Sequence, residues 1–267
     1  MRSIKIKCPA KINLYLKVVN KRRDGFHNIT SIMQSISLFD YLSIAVIDDR
    51  KNIITLHGDS DEIPYNSDNL VYKAVELYLA AAKFSNKRVN VYIEKNIPIS
   101  AGLAGGSTDA AGVIYGLNKI FDDKLSDKAL HNICKKLGSD LNFCLVGGRM
   151  RARGRGEILE PLKFQQLPVN LIKPLDLGIS AKEAYTSFAD KIKKNKNDET
   201  RKAYDNDLEW AVIDKYPQLQ SIREKYPTSM MTGSGSTYFS LKEEFENEEG
   251  CWVKNGLQTV DYGVTMM

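Results

Sequence analysis

Pro98-Ile99-Ser100-Ala101-Gly102-Leu103-Ala104-Gly105-Gly106-Ser107-Thr108-Asp109-Ala110-Ala111 stands between two segments of different periodicity. Upstream, Val89, Val91 and Ile93 alternate with Asn90, Tyr92 and Glu94, the period of a half-buried strand. Downstream, Ala110, Val113, Ile114, Leu117 and Phe121 recur at helical spacing and form one apolar stripe. A glycine-rich loop therefore joins a strand to a helix. Its glycines let the backbone approach a ligand closely, because no Cβ intervenes. Ser107 or Thr108 is expected at the cap position, with the unpaired N–H groups of the first helical turn beyond it. Those donors, aided by the helix dipole, suit a phosphate.

The familiar phosphate loops do not fit. A Walker A loop requires Lys after its last glycine, and Gly106 is followed by Ser107 and Thr108. A Rossmann turn requires G-x-G-x-x-G, whereas Gly105 and Gly106 are adjacent. At 267 residues, the chain can bury one large core or two moderate ones. With 43% hydrophobic and 27% charged residues it has the balance of a soluble globular protein, and no apolar run approaches the ~20 residues of a membrane span. Residues 1–8 alternate charged with aliphatic side chains and read as a strand, not a secretion signal. Cys8, Cys134, Cys144 and Cys251 are widely separated, and His27, His57 and His131 are equally scattered, so no zinc spacing appears. Reduced cysteines and a cytoplasmic location are expected. The net charge of +5 suits an anionic substrate without requiring nucleic acid.

In Pro9 to Val18, strand alternation puts Lys11, Asn13, Tyr15 and Lys17 on one face and Ile12, Leu14, Leu16 and Val18 on the other. Arg22-Arg23-Asp24-Gly25-Phe26-His27-Asn28 reads as a turn on which an aromatic and an imidazole could meet a flat ring. Ile29 to Ile47 reads as two strands broken near Phe39-Asp40. Asp68 is expected to cap a helix that buries Leu70, Ala74, Leu77, Tyr78 and Ala81. A further helix from Ser126 carries Leu130, Ile133, Cys134 and Leu137 and closes at Gly138 as a C′ residue. Asp140 follows, either as an N-cap or as a catalytic carboxylate. Gly147 to Glu157, with Arg149, Arg151, Arg153 and Arg155, suits a strand ending in a turn, and also an RNA-contacting arm. A lobe boundary is expected in the proline-punctuated stretch from Leu159 to Pro174. Ser180 to Tyr185 starts a helix, Lys191 to Lys202 reads as a surface loop, and Asn206 opens another helix. Met231-Thr232-Gly233-Ser234-Gly235 is a second glycine loop, running into a strand and able to offer N–H groups to an anion.

Taken together, Pro9-Ala10-Lys11-Ile12-Asn13-Leu14, Arg23 to Asn28, the first glycine loop, Gly138-Ser139-Asp140 and Gly233-Ser234-Gly235 resemble the GHMP kinase superfamily, small-molecule kinases without a Walker A loop. The resemblance runs from Pro9 to about Phe239. It implies an α/β (α+β) fold of two lobes, a ribosomal-protein-S5-like N-terminal lobe (1–159) and a ferredoxin-like C-terminal lobe (160–267), with ATP and the second substrate in the cleft between them. It implies ATP-dependent phosphorylation of 4-diphosphocytidyl-2-C-methyl-D-erythritol at its 2-hydroxyl, in non-mevalonate isoprenoid biosynthesis. Pro98 to Thr108 would wrap the ATP phosphates, and Asn69, Leu70 and Lys95 would lie near the adenine. Asp140 would take the proton of the tertiary hydroxyl while Lys11 steadies carboxylate and nucleophile. Asn13 would bind substrate, and Phe26 and Tyr185 would sandwich the cytosine while His27 bonds its edge. Phe26 stands where many members carry Tyr, and Ala104 and Thr108 replace the commoner Gly and Ser; Ala104 then needs a backbone angle that a Cβ tolerates. Mg²⁺ would assist, and no metal ligand is identifiable. A monomer or weak homodimer, free of nucleic acid and membrane, is expected.

Two alternatives remain. Another GHMP kinase, of mevalonate or homoserine type, is disfavoured by Arg23 to Asn28. A basic RNA-binding protein would rest on Arg149 to Arg155, a run without the interleaved aromatics on which single-stranded bases stack.

Overall fold

The computed structural model describes residues 1–194 and 198–267. Two long strands form its spine, β1 (Arg2–Lys21) and β2 (His27–Asp48), joined at the turn that carries Asp24-Gly25. The sequence suggests a break near Phe39-Asp40, but β2 is continuous. The irregularity there is a register shift: Pro9 faces Phe39 and Ala10 faces Ile36, which leaves Ser37 and Leu38 without partners on β1. A second shift lies between Asn13 and Tyr15 and inserts Leu14. It changes the face assignment, since one extra residue flips every side chain beyond it. Leu16, not Tyr15 or Lys17, joins Lys11 and Asn13 on the cleft side.

After β3 (Ile53–Gly58) come α1 (Leu70–Ala81), β4 (Lys87–Glu94), α2 (Gly105–Ile120), α3 (Asp127–Leu137) and α4 (Leu141–Val146). Then β5 (Arg149–Gly154), the strand ending in a turn expected around Met150 and Ala152, pairs with a strand the pattern did not suggest, β6 (Ile158–Pro161), to form a hairpin. These strands make a seven-stranded sheet with β11 (Thr265–Met266), in the order β11-β1-β2-β4-β3, with β5 on β2 and β6 on β5. The expected boundary between residues 159 and 160 falls inside β6, and the last strand returns to the first sheet beside β1.

The caps differ from those suggested by the letters. Asn69, not Asp68, caps α1, its Oδ1 accepting from the Val71 N–H at 2.8 Å. Ala104 precedes α2 without a side-chain cap, so Ser107 and Thr108 lie inside the first turn. Gly138 ends α3 in an extended conformation, not a left-handed one. α2 packs on β1 and β2 and against α1 and α4. It is therefore buried around most of its surface, with Thr108, Asp109 and Gly112 inside as well as Ala110, Val113, Ile114 and Leu117 of the expected stripe, while Phe121 follows the helix and is half-buried.

The second sheet is four-stranded and antiparallel, ordered β10-β7-β9-β8, from β7 (Pro168–Pro174), β8 (Met230–Met231), β9 (Tyr238–Ser240) and β10 (Cys251–Gln258). It is accompanied by α5 (Ala181–Lys194), α6 (Asp207–Val212) and α7 (Pro217–Lys225). The expected loop from Lys191 to Lys202 is helical to Lys194 and has a 3₁₀ turn at Glu199–Ala203; residues 195–197 lie outside the described residues. Leu16 and Val18 of β1 are buried in the core of this second lobe, together with Trp210 and Tyr238. The four cysteines are free thiols, and among the described residues no helix is long and apolar enough to cross a membrane.

Candidate active site

Between the two sheets lies a cavity of about 1060 Å³. Lys11 projects into it from the middle of β1 and is 4% exposed. Its Nζ donates to Asn13 Oδ1 at 2.6 Å and to the Gly102 carbonyl at 2.9 Å. Asn13 is held in turn: its Nδ2 donates to Ser31 Oγ at 2.8 Å, and its backbone N–H to Thr232 Oγ1 at 2.9 Å. Asp140, just before α4, places Oδ2 3.6 Å from Lys11 Nζ. Its side chain is 31% exposed, and the N-cap alternative fails because it makes no capping bond. Lysine and aspartate, far apart in sequence, share one face of one cavity.

The two glycine loops meet at this pair. Gly102, at φ +72°, passes so close to the second loop that a Cβ there would lie 2.1 Å from the Thr232 carbonyl. Asn206, fully buried at the start of α6, donates to the carbonyls of Met231 and Gly233 and fixes the second loop. The Gly235 N–H is used within that loop, on the Thr232 carbonyl, and is not free for an anion. Within the first loop, Pro98 to Gly102 and Ala104 to Ser107 line the cavity. Leu103 and Thr108 instead turn inward and are fully buried, so their side chains do not face a ligand. Ala104 has φ 61° and ψ 29°, a left-handed conformation that a Cβ tolerates poorly and glycine readily; the expectation of a comfortable backbone angle there is corrected.

Asn69 and Leu70 form the wall opposite Gly106, beside Ile63 and Pro64. Lys95 also lines the cavity, but its ammonium is bound by the carboxylates of Asp40 and Asp109, the latter at 3.0 Å. Asp40 further accepts the backbone N–H groups of Asn96 at 2.6 Å and Ile97 at 2.8 Å. Burial, reinforced by the charge of Asp40, pushes the Asp109 carboxyl well above the ordinary carboxylate range. The sequence reading missed this buried group of three. Its trace in the sequence is a charged residue inside the apolar run Leu38-Phe39-Asp40-Tyr41-Leu42, which by itself suggests only a strand break.

At the other end of the cavity stand Phe26, His27 and Tyr185. Tyr185 stacks on His27, ring centroids 5.0 Å apart and 11° between planes, and not on Phe26. Phe26 lies under the Arg155 guanidinium instead. Burial first, and then the charge of Lys21, hold the His27 imidazole below its ordinary value. At neutral pH it is therefore uncharged, with one donor and one acceptor nitrogen.

Residues 69–148 match the family model described as GHMP kinases N terminal domain. The 4-diphosphocytidyl-2-C-methyl-D-erythritol kinase of Syntrophomonas wolfei subsp. wolfei is 38% identical over 266 residues, covering 92% of this chain and 91% of the relative. That of Clostridioides difficile strain 630 is 38% identical over 270 residues, covering 93% and 89%. A crystal structure of 4-(cytidine 5'-diphospho)-2C-methyl-D-erythritol kinase superposes with a TM-score of 0.74 at 28% identity, covering 96% of this chain and all of the other. A homoserine kinase from Cytophaga hutchinsonii shares the fold alone, with a TM-score of 0.70 at 16% identity. The fold is that of the GHMP kinases, and the chain belongs to the 4-diphosphocytidyl-2-C-methyl-D-erythritol kinase family.

Proposed function

We propose that the chain transfers the γ-phosphoryl group of ATP to the 2-hydroxyl of 4-diphosphocytidyl-2-C-methyl-D-erythritol. The observation that carries this reading is the Lys11–Asp140 pair, 3.6 Å apart, in a cleft walled by the first glycine loop. Asp140 accepts the hydroxyl proton as the alcohol oxygen attacks the γ-phosphorus; the bond to the β–γ bridging oxygen breaks and ADP leaves. Lys11 holds its positive charge between that carboxylate and the alcohol, oriented by Asn13 and Gly102. The N–H groups opening α2 face the phosphates, where partial positive charge stabilises the transferring group. Asn69 and Leu70, with Ile63 and Pro64, supply the wall against which the adenine packs.

Mg²⁺ takes hard oxygen ligands and is ordinarily held by one or two carboxylates together with phosphate oxygens. The cleft wall offers a donor of that kind in the Ser107 hydroxyl, while among the described residues no cluster of three or more His, Cys, Asp or Glu forms an all-protein cage. Ser107 would hold the ion together with phosphate oxygens, and when bound it would neutralise charge on the phosphates. At the far end, Phe26, His27 and Tyr185 take the cytosine by stacking and edge hydrogen bonds. Mass spectrometry after incubation with ATP, Mg²⁺ and the cytidylated alcohol is expected to show a gain of one phosphoryl group. Turnover of mevalonate or homoserine with none of the cytidylated substrate would overturn the reading.

A further inference from the structure

We propose that the Arg155 guanidinium forms a diphosphate-binding subsite between the base-binding end of the cleft and the Lys11–Asp140 pair. The inference rests on the substrate reading above. Of the four arginines between Arg149 and Arg155, Arg155 alone lines the cleft. Arg151 and Arg153 pair with Glu160, and Arg149 with Gln165. Arg155 opens the turn between β5 and β6, and its guanidinium carbon lies 4.6 Å from the centre of the Phe26 ring. The same turn abuts the residue before Asp140: a Cβ on Gly156 would stand 3.7 Å from the Ser139 carbonyl oxygen. The turn thus spans the wall from Phe26, under the guanidinium, to the residue before Asp140.

A cytidine diphosphate ester bound with its base at Phe26 and its alcohol at Asp140 must lay two phosphates along that stretch. Glu157 leaves the guanidinium free to meet them. Its Oε2 accepts the Arg155 backbone N–H at 2.6 Å, while the side-chain contact is a loose 3.9 Å. Among the described residues the guanidinium donates no hydrogen bond, although the side chain is only 20% exposed. A planar fork of donors that carry no hydrogen bond matches phosphate oxygens two at a time. Lys21, paired across the strands with His27, adds a second cation to this end of the cavity.

The rival role for Arg155 is to prop the Phe26 ring, and the phosphates separate the two. Affinities for cytidine, CMP and CDP are measured by calorimetry with saturating ADP, so that the phosphate loop is filled. Arg155→Met is expected to weaken CDP binding about tenfold or more, the scale of one lost charge-assisted hydrogen bond, and cytidine binding less than about twofold. Arg155→Lys should recover part of the loss. In turnover, Arg155→Met should raise KM for the cytidylated substrate and leave KM for ATP unmoved, which also reports an intact fold. An equal loss for cytidine and CDP, or no loss for either, would overturn the subsite while wild-type turnover kept the substrate reading intact. A wild-type protein that neither binds CDP nor phosphorylates the cytidylated substrate would overturn both.

Discussion

Lys11 has three ammonium hydrogens, and two are committed to neutral oxygens, on Asn13 and Gly102. The third direction is toward Asp140, where the alcohol must arrive. Replacing Lys11 with Met or Asp140 with Asn is expected to lower kcat about 10²- to 10⁴-fold, the range of a positioned proton acceptor and its partner. Circular dichroism should show the fold retained; near-normal turnover in either variant would remove the pair from the mechanism. Asp109 allows a separate test, through stability. Its carboxyl titrates higher in the folded chain than in the unfolded one, because burial and Asp40 disfavour its charge. The folded state therefore binds the extra proton, and the resulting stabilisation is complete below about pH 4 and is lost as pH rises through the folded value. Urea midpoints should fall with rising pH more steeply in the wild type than in Asp109→Asn; equal slopes would contradict the assignment. Lys11 and Asp140 were legible as letters in motifs. The group formed by Asp40, Lys95 and Asp109 was not, because three ionisable side chains buried together require three segments to converge.

The glycine loop and α2 were readable as an element, and their junction was not. Periodicity located the helix, while its first residue depends on Ala104 closing the loop in a left-handed turn, with the Thr108 N–H bonded to the Ala104 carbonyl at 2.9 Å. A left-handed alanine costs about 1 kcal/mol. Ala104→Gly is therefore expected to raise the melting temperature by about 2–4 °C, measured by calorimetry. A lower melting temperature would mean that the loop is not strained there. Gly102→Ala should do the opposite, costing about 2 kcal/mol or more, because its new Cβ would collide with the backbone carbonyl of Thr232. On β1, simple alternation failed beyond Leu14 for a related reason. A bulge is a property of the pair of strands, and its position depends on β2 as much as on β1.

At the scale of the whole molecule, neither lobe is complete in one stretch of chain. The first sheet gains β11 from the C-terminus, and Val264 donates its N–H to the Cys144 carbonyl. The second core takes Leu16 and Val18 from β1. A fragment of residues 1–161 is accordingly expected to be degraded in limited proteolysis under conditions where the full chain survives, since it lacks β11 and bares those two side chains. A protease-resistant, cooperatively melting fragment would show the first lobe to be self-sufficient. A boundary drawn from proline punctuation alone cannot register such exchange, because it depends on which distant segments pair.

The helices α1, α2 and α3, the strand β4, the glycine loops and the Lys11 and Asp140 segments were legible in local pattern, because period, turn chemistry and motif spacing act within a few residues. The tertiary structure alone decided that Lys11 meets Asp140, that Lys95 is clasped by Asp40 and Asp109, and that Arg155 leaves its neighbours to face the cleft. Each of these depends on bulges, register and the return of distant strands. Those follow from packing the whole chain at once, which no short window of sequence contains.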